Sequence, residues 1–301
     1  MFAIFSYFKH PKALLVSLLQ HFGNWLPDKI YIKWMYRLKM GRKLNIDYPK
    51  RFTEKLQWLK LYDHDPFYSI IVDKYEVKSY VARLIGMDYV IPTIGVWNEP
   101  EEIRIETMPE KFVLKTTNGG GGTGVVICKE KSKFNFNAAV IKLRKSLNTN
   151  LYKLQREWPY KNIPPRIIAE KYMEDESGEL RDYKFYCFNG EPKVLLIASN
   201  RFTNHNFNYY DMKFNPLPIH SAVGGKSDIV FQRPSSFDEM VELSRKLSQG
   251  FVHVRVDLYY VDQKIYFGEL TLYDSSGYDN LSSDSEDLLW GSWLQLPVIK
   301  E

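Results

Sequence analysis

Residues 112–126 read Phe-Val-Leu-Lys-Thr-Thr-Asn-Gly-Gly-Gly-Gly-Thr-Gly-Val-Val, and no other stretch limits the fold as much. An apolar run ends at Lys115, Thr116-Thr117-Asn118 lead into a loop of Gly119, Gly120, Gly121, Gly122, Thr123 and Gly124, and a second apolar run leads to Cys128. The pattern predicts strand, glycine loop, strand. Glycine has no Cβ, so such a loop lays bare N–H groups against an anion. A lysine on the strand before it adds a point charge for the same anion. The ligand that suits both is a nucleotide phosphate chain. A Walker A loop needs Gly-Lys-Ser/Thr opening a helix, and here the lysine precedes the glycines. A GxGxxG dinucleotide turn also opens a helix, so that fold is disfavoured. The alternative is a hairpin with no ligand, in which each glycine costs roughly 0.5–1 kcal/mol relative to alanine in a regular element.

A second hairpin carries carboxylates. Arg255-Val256-Asp257-Leu258 and Gly268-Glu269-Leu270-Thr271 flank a turn near residues 262–263, which sets Asp257 near Glu269 across the pair. Two carboxylates on one side of a sheet repel unless a cation separates them. Magnesium held by one or two carboxylates and substrate phosphates answers that need; so does Arg255.

Other classes are disfavoured. The net charge of +5 is uneven: residues 1–50 carry +7 and the remaining chain −2, so a nucleic-acid-binding body is not expected. Cys128 and Cys187 lie in apolar runs and read as buried thiols. The six histidines show no zinc spacing. No Ser-His-Asp or Cys-His set is visible. Residues 13–27 are uncharged but too interrupted to span a bilayer, and no secretory leader pattern precedes them. Tyr31, Trp34, Met35 and Leu38 recur at helical spacing, as do Lys29, Lys33 and Arg37, so a basic amphipathic helix is expected. Its apolar face docks on the protein's own body or on an anionic membrane surface.

Along the chain, residues 52–62 read as a helix with Thr53 a possible cap, and 73–85 as another. Strands are expected at 89–91, 94–97 and 166–173, hairpins at 183–198 and 251–272, and helices at 137–150 and 237–248. Residues 274–288 read as acidic, serine-rich loop. Mixed hairpins and helices give an α+β class.

Lys74 in Val72-Asp73-Lys74-Tyr75, then Lys115 with its loop 41 residues on, then residues 167–173 (Ile-Ile-Ala-Glu-Lys-Tyr-Met), then the Asp257/Glu269 hairpin, resembles the ATP-grasp superfamily in order and spacing. Glu54-Lys55-Leu56-Gln57-Trp58-Leu59-Lys60, Arg156-Glu157-Trp158-Pro159-Tyr160-Lys161, Asp182-Tyr183-Lys184-Phe185, Asp257-Leu258-Tyr259 and Phe267-Gly268-Glu269-Leu270-Thr271 are similar to its TupA-like branch, found with bacterial surface-polysaccharide and teichuronopeptide genes. The resemblance covers about residues 48–285.

It implies an ATP-grasp fold, two α+β subdomains clasping ATP. Residues 48–110 would be a preceding region, 111–172 the subdomain with the glycine lid and 173–301 the subdomain with the metal site; residues 1–47, outside the resemblance, are expected as a basic helical extension. Lys74 and Lys115 would contact the α- and β-phosphates, with residues 119–124 closing over them. Glu170, Lys171, Tyr172 and Met173 would form the adenine hinge, and Glu174 or Asp175 would take a ribose hydroxyl. Lys184 and Arg201, with Arg255, would face the γ-phosphate or the phosphorylated intermediate. Asp257 and Glu269 would hold Mg2+. Many members end the metal site with Glu-x-Asn; here Thr271 stands in the last place, and Thr271 or Asp274 is left to complete the set.

The implied reaction activates a carboxylate as an acyl phosphate that an amine then attacks. It would join an amino acid or amine to a carboxylate of a surface glycan or its precursor, in the cytoplasm or at the inner membrane face. The same site with a hydroxyl acceptor would be a sugar kinase. Asp63-His64-Asp65 is a weak glycosyltransferase signal, and a non-catalytic nucleotide-binding module is a further reading. The acceptor pocket is expected from residues 202–235, including Asn204, His205, Asn206, Tyr209 and Tyr210, and from the 274–293 tail.

Overall fold

The computed structural model describes residues 11–199, 206–219, 225–226 and 229–298. Arg201, Asn204 and His205 lie outside the described residues. The helices are α1 (Pro11–Phe22), α2 (Asp28–Met40), α3 (Phe52–Tyr62), α4 (Phe67–Val72), α5 (Glu76–Ile85), α6 (Phe136–Leu147), α7 (Leu151–Gln155), α8 (Phe237–Ser248) and α9 (Asp284–Trp293). The strands are β1 (Thr93–Trp97), β2 (Phe112–Thr116), β3 (Val125–Cys128), β4 (Ile167–Lys171), β5 (Asp182–Phe188), β6 (Glu191–Ser199), β7 (Asn206–Tyr210), β8 (Pro216–Leu217), β9 (Gly225–Lys226), β10 (His253–Val261) and β11 (Lys264–Thr271).

Two sheets organise the chain. The smaller runs β1-β4-β2-β3 with every pair antiparallel. The larger runs β11-β10-β5-β6-β7-β8, also antiparallel, with β9 parallel to β7. Each sheet has its own apolar core. Phe112, Leu114, Ile167 and Ala169 alternate inward under α6, whose Leu143 is fully buried. Phe185, Leu195, Val254 and Val256 line the larger core, closed by Phe237, Met240 and Leu247 of α8. The α+β class follows from this arrangement.

Several local expectations are corrected. The expected apolar face divides: α2 buries Tyr31 and Met35 together with Ile32, Tyr36 and Met40, and leaves Trp34 exposed. Those residues belong to the larger core, so this helix is part of the body rather than an extension from it. Thr53 does not cap α3. Arg51 is the N-cap, and the Glu54 carboxylate turns back to accept from the N–H groups of Lys50 and Arg51, at 3.1 Å each. Thr53 instead donates its N–H and hydroxyl to Asp287, at 2.9 and 2.7 Å. The helix expected over 73–85 starts at Glu76, preceded by the unexpected α4, and in place of the strand expected over 89–91 a 3-10 turn ends at Tyr89 and Val90 makes a single bridge to Phe267. The acidic tract is not all loop. Ser283 accepts from the Glu286 N–H and starts α9, whose first turn holds Asp284, Glu286 and Asp287.

His253 shows what this packing costs a polar ring. Its Nδ1 donates to the Cys187 carbonyl at 2.9 Å, and its ring lies edge-on to Phe52 at 4.9 Å. Burial lowers its pKa from 6.5 to about 4, despite the Cys187 carbonyl. The unfolded chain therefore takes up a proton between these values that the native state refuses, and stability falls as pH drops through that window. Urea midpoints at pH 7, 5.5 and 4 are expected to decline for the wild type and to flatten in His253→Phe.

Candidate nucleotide and carboxylate site

The glycine loop is anchored at its root and open at its tip. Thr116 and Ser146 hydroxyls bond at 2.7 Å, and buried Asn118 donates to the Leu147 and Thr149 carbonyls at 3.3 and 3.0 Å. Gly121 and Gly122 have φ of +59° and +75°, with nothing within 4 Å of a built Cβ. Gly124 is needed for space: a Cβ there would meet Ser146 Oγ and Thr116 Oγ1 at 2.3 Å. Gly124→Ala is expected to cost about 1–3 kcal/mol, as overpacked sites do. Gly120→Ala is expected to cost less, about 1 kcal/mol or under, because its Cβ would meet only the flexible end of Leu151, at 3.1 Å. Chemical denaturation of both variants checks this.

Lys115 extends from β2, and its Nζ lies 2.5 Å from Glu170 on the neighbouring β4. Lys78, one helical turn beyond Lys74, reaches the other oxygen of the same carboxylate at 2.5 Å. Glu170 is buried, which would raise its pKa, but Lys115 and Lys78 outweigh burial and lower it. The Glu170 side chain thus clamps Lys115 and Lys78. Lys78 was not singled out from the sequence, although the Lys74-x-x-x-Lys78 spacing offered a signal.

Lys74 joins the two halves. Its N–H donates to the Thr117 carbonyl at 3.2 Å, and its Nζ donates to the Gly119 carbonyl at the root of the loop. The same Nζ lies 3.8 Å from Glu269 on β11. Asp73 beside it accepts from the N–H groups of Tyr75 and Glu76 at 2.8 and 3.1 Å, and Arg166 holds its other oxygen at 3.0 Å. This starts α5 and fixes the Lys74 backbone.

The register of β10 and β11 sets Asp257 directly opposite Glu269, with a bulge just beyond at Leu258. Arg255, buried on the same strand, gathers the acids. Its Nε lies 2.6 Å from Asp257 Oδ1, and its Nη2 lies 2.7 Å from Asp257 Oδ2, 3.0 Å from Glu269 and 3.2 Å from the Thr271 hydroxyl. Its Nη1 donates to Asp274, which also accepts from Tyr186 at 2.9 Å. Lys184 donates to Asp257 from β5. Burial would raise the Glu269 pKa, but Lys74, Arg255, Lys184 and Lys115 together hold it at about 2. Asp257 is more deeply enclosed; burial raises its pKa against Arg255 and Lys184.

Among the described residues, no group of three His, Cys, Asp or Glu is placed to hold a metal by itself. Asp257 and Glu269 nevertheless fit magnesium shared with phosphate, because that ion keeps hard oxygen ligands from one or two carboxylates and completes its shell from substrate. Thr271 and Asp274 both border the pair through Arg255.

The hinge residues divide. Lys171 and Met173 line a cleft of about 900 Å3 with Lys78, Pro92, Ile265 and Tyr266. Tyr172 turns elsewhere and donates to exposed Glu174 at 2.8 Å. The Asp175 carboxylate accepts from the N–H groups of Ser177 and Arg181 at 2.8 and 3.1 Å, inside its own turn. The Asp63-His64-Asp65 triplet lies beyond α3: Asp63 accepts from Tyr68 at 3.0 Å, and Asp65 caps the next turn through the Phe67 N–H.

Residues 54–295 match the family described as TupA-like ATPgrasp. No curated protein matches the chain. Among solved structures, D-alanine–D-alanine ligase from Helicobacter pylori shares 16% identity at a TM-score of 0.41, over 76% of this chain and 62% of that one. D-alanine–D-alanine ligase from Bacillus anthracis shares 16% at 0.40, over 67% and 57%. D-cycloserine synthetase DcsG shares 16% at 0.43, over 76% and 71%. The chain therefore spans less than two thirds of the length of either D-alanine–D-alanine ligase.

Proposed function

The chain belongs to the TupA-like ATP-grasp family, and from that premise we propose that it is an ATP-dependent carboxylate–amine ligase. The observation that carries this reading is Lys74, which spans from the Gly119 carbonyl to Glu269 and so sets the anion-binding loop against the carboxylate pair. A polyphosphate lying there meets Lys74 and Lys115 on one side and Lys184 and Arg255 on the other. The base end is assigned to the cleft beside Lys171 and Met173, with Glu174 near the ribose.

Magnesium held by Asp257 and Glu269 would neutralise phosphate charge during transfer. The chain's own residues position and neutralise. Lys74 and Lys115 hold the phosphates, the 119–124 loop covers them and excludes water, and Lys184 and Arg255 offset charge where the γ-phosphoryl group moves. The acceptor carboxylate takes the γ-phosphoryl group and ADP leaves. An amine then attacks the acyl phosphate, inorganic phosphate departs with the bonding pair, and an amide remains. The acceptor class we assign is a uronic acid or other carboxylate on a cell-surface polysaccharide precursor, and the donor is an amino acid or small amine. A lipid-linked precursor would bring the enzyme to the inner face of the membrane.

Hydroxylamine tests the intermediate. With Mg-ATP and a uronic-acid oligosaccharide mixture, the reading expects a hydroxamate formed in step with ADP. ADP accompanied by a stable phosphate ester and no hydroxamate would make the enzyme a kinase.

A further inference from the structure

Helices α1 and α2 pack against each other, yet their outer surface is apolar. Val16 and Leu19 of α1 rest on the larger core, while Leu15, Leu18 and Phe22 form an exposed stripe at i, i+3 and i+7. Trp25 in the connection is 79% exposed. Ile30 and Trp34 stand out from α2 on the side away from its buried Tyr31, Met35 and Tyr36, with Trp34 64% exposed. A folded chain gains nothing in water from two bare tryptophans on one helical pair.

Charge identifies what covers this surface. Exposed Lys12, Lys33 and Arg37 lie on the same two helices, and among the described residues none of them makes an ion pair. The two acidic residues of this region are engaged: Asp28 lies 2.9 Å from Arg156, and Asp47 lies 3.4 Å from Lys29. Aromatic side chains with a basic flank and no free acid suit the headgroup region of an anionic bilayer. No helix of the described residues is long and apolar enough to cross a membrane.

We propose that the exposed face of α1 and α2 docks the protein in the plane of an anionic lipid surface, through Phe22, Trp25 and Trp34 with Lys12, Lys33 and Arg37. This deepens the membrane-side reading above and depends on no step of the chemistry.

Flotation of the full chain with vesicles tests it. Phosphatidylcholine vesicles containing phosphatidylglycerol should carry the protein upward, and phosphatidylcholine alone should not. The Lys12→Glu/Lys33→Glu/Arg37→Glu variant should lose roughly a hundredfold in partition. Trp25→Ser/Trp34→Ser should also release the protein, with ATP titration of both variants unchanged. No flotation, or flotation indifferent to phosphatidylglycerol or to these substitutions, overturns the proposal. So does a dimer on sedimentation that the tryptophan variant dissolves, because the face would then belong to a second copy. Flotation needs no nucleotide, so its failure leaves the ligase reading to be judged by ATP titration.

Discussion

Lys115→Ala is expected to weaken Mg-ATP binding by about 10- to 100-fold, the worth of one hydrogen bond to a charged group. The lysine is half-buried on β2, pinned 2.5 Å from Glu170, and adds to the positive field that keeps Glu269 ionised. Removing it takes away a phosphate partner whose position is already fixed, so little ordering entropy is recovered. The change also leaves Glu170 with Lys78 alone, and that contribution must be separated. Glu170→Gln keeps the shape and frees both lysines; it should weaken binding less than Lys115→Ala. Lys133→Ala is the control: that exposed lysine meets exposed Glu130, at 2.6 Å, and should leave titration unchanged. Calorimetric titration of the three variants checks the ordering, with far-ultraviolet circular dichroism confirming the fold.

Arg255→Met is expected to produce the largest loss of stability, about 3–5 kcal/mol, because removing one partner of a buried ionic network leaves uncompensated charge. Among the described residues, Arg255 alone touches all of Asp257, Glu269 and Asp274. Lys184, on β5, meets Asp257, and Lys74, in the turn before α5, meets Glu269; neither bridges all three acids. The deficit should shrink as pH falls, because protonation removes the repulsion among the stranded carboxylates. Arg255→Lys should rescue little: a point charge cannot replace a fork that spans three acids. Adding Glu269→Gln to Arg255→Met should recover part of the loss, a coupling that a double-mutant cycle on urea unfolding measures directly.

Most of the fold was legible because period and punctuation agreed. The 253–271 hairpin was readable from two apolar runs around a short turn, and its register followed from the turn position. The glycine hairpin was readable because apolar strands flank a segment that only glycine tolerates. What escaped had a physical reason in each case. Asp287 and Asp284 looked like solvated charge in the tract, yet they receive Thr53, Arg42 and Arg51 from more than two hundred residues away. Tyr31, Trp34, Met35 and Leu38 share one helical face in the sequence, yet tertiary docking turns α2 so that Tyr36 is buried and Trp34 exposed. The site was legible as types and order, from Lys74 through Lys115 to Asp257 and Glu269. Its wiring was not: a sequence does not show that Glu170 clamps two lysines or that Asp175 bonds inside its own turn. Arg201 remains a proposal from resemblance alone.

The most direct measurement is phosphorus NMR of the wild type with Mg-ATP and an extract of the source cells supplemented with amino acids. The ligase account predicts ADP with inorganic phosphate that depends on the extract and disappears in Lys115→Ala. A new phosphate ester in place of inorganic phosphate would contradict it, as would unchanged ATP from a protein whose titration shows no nucleotide binding.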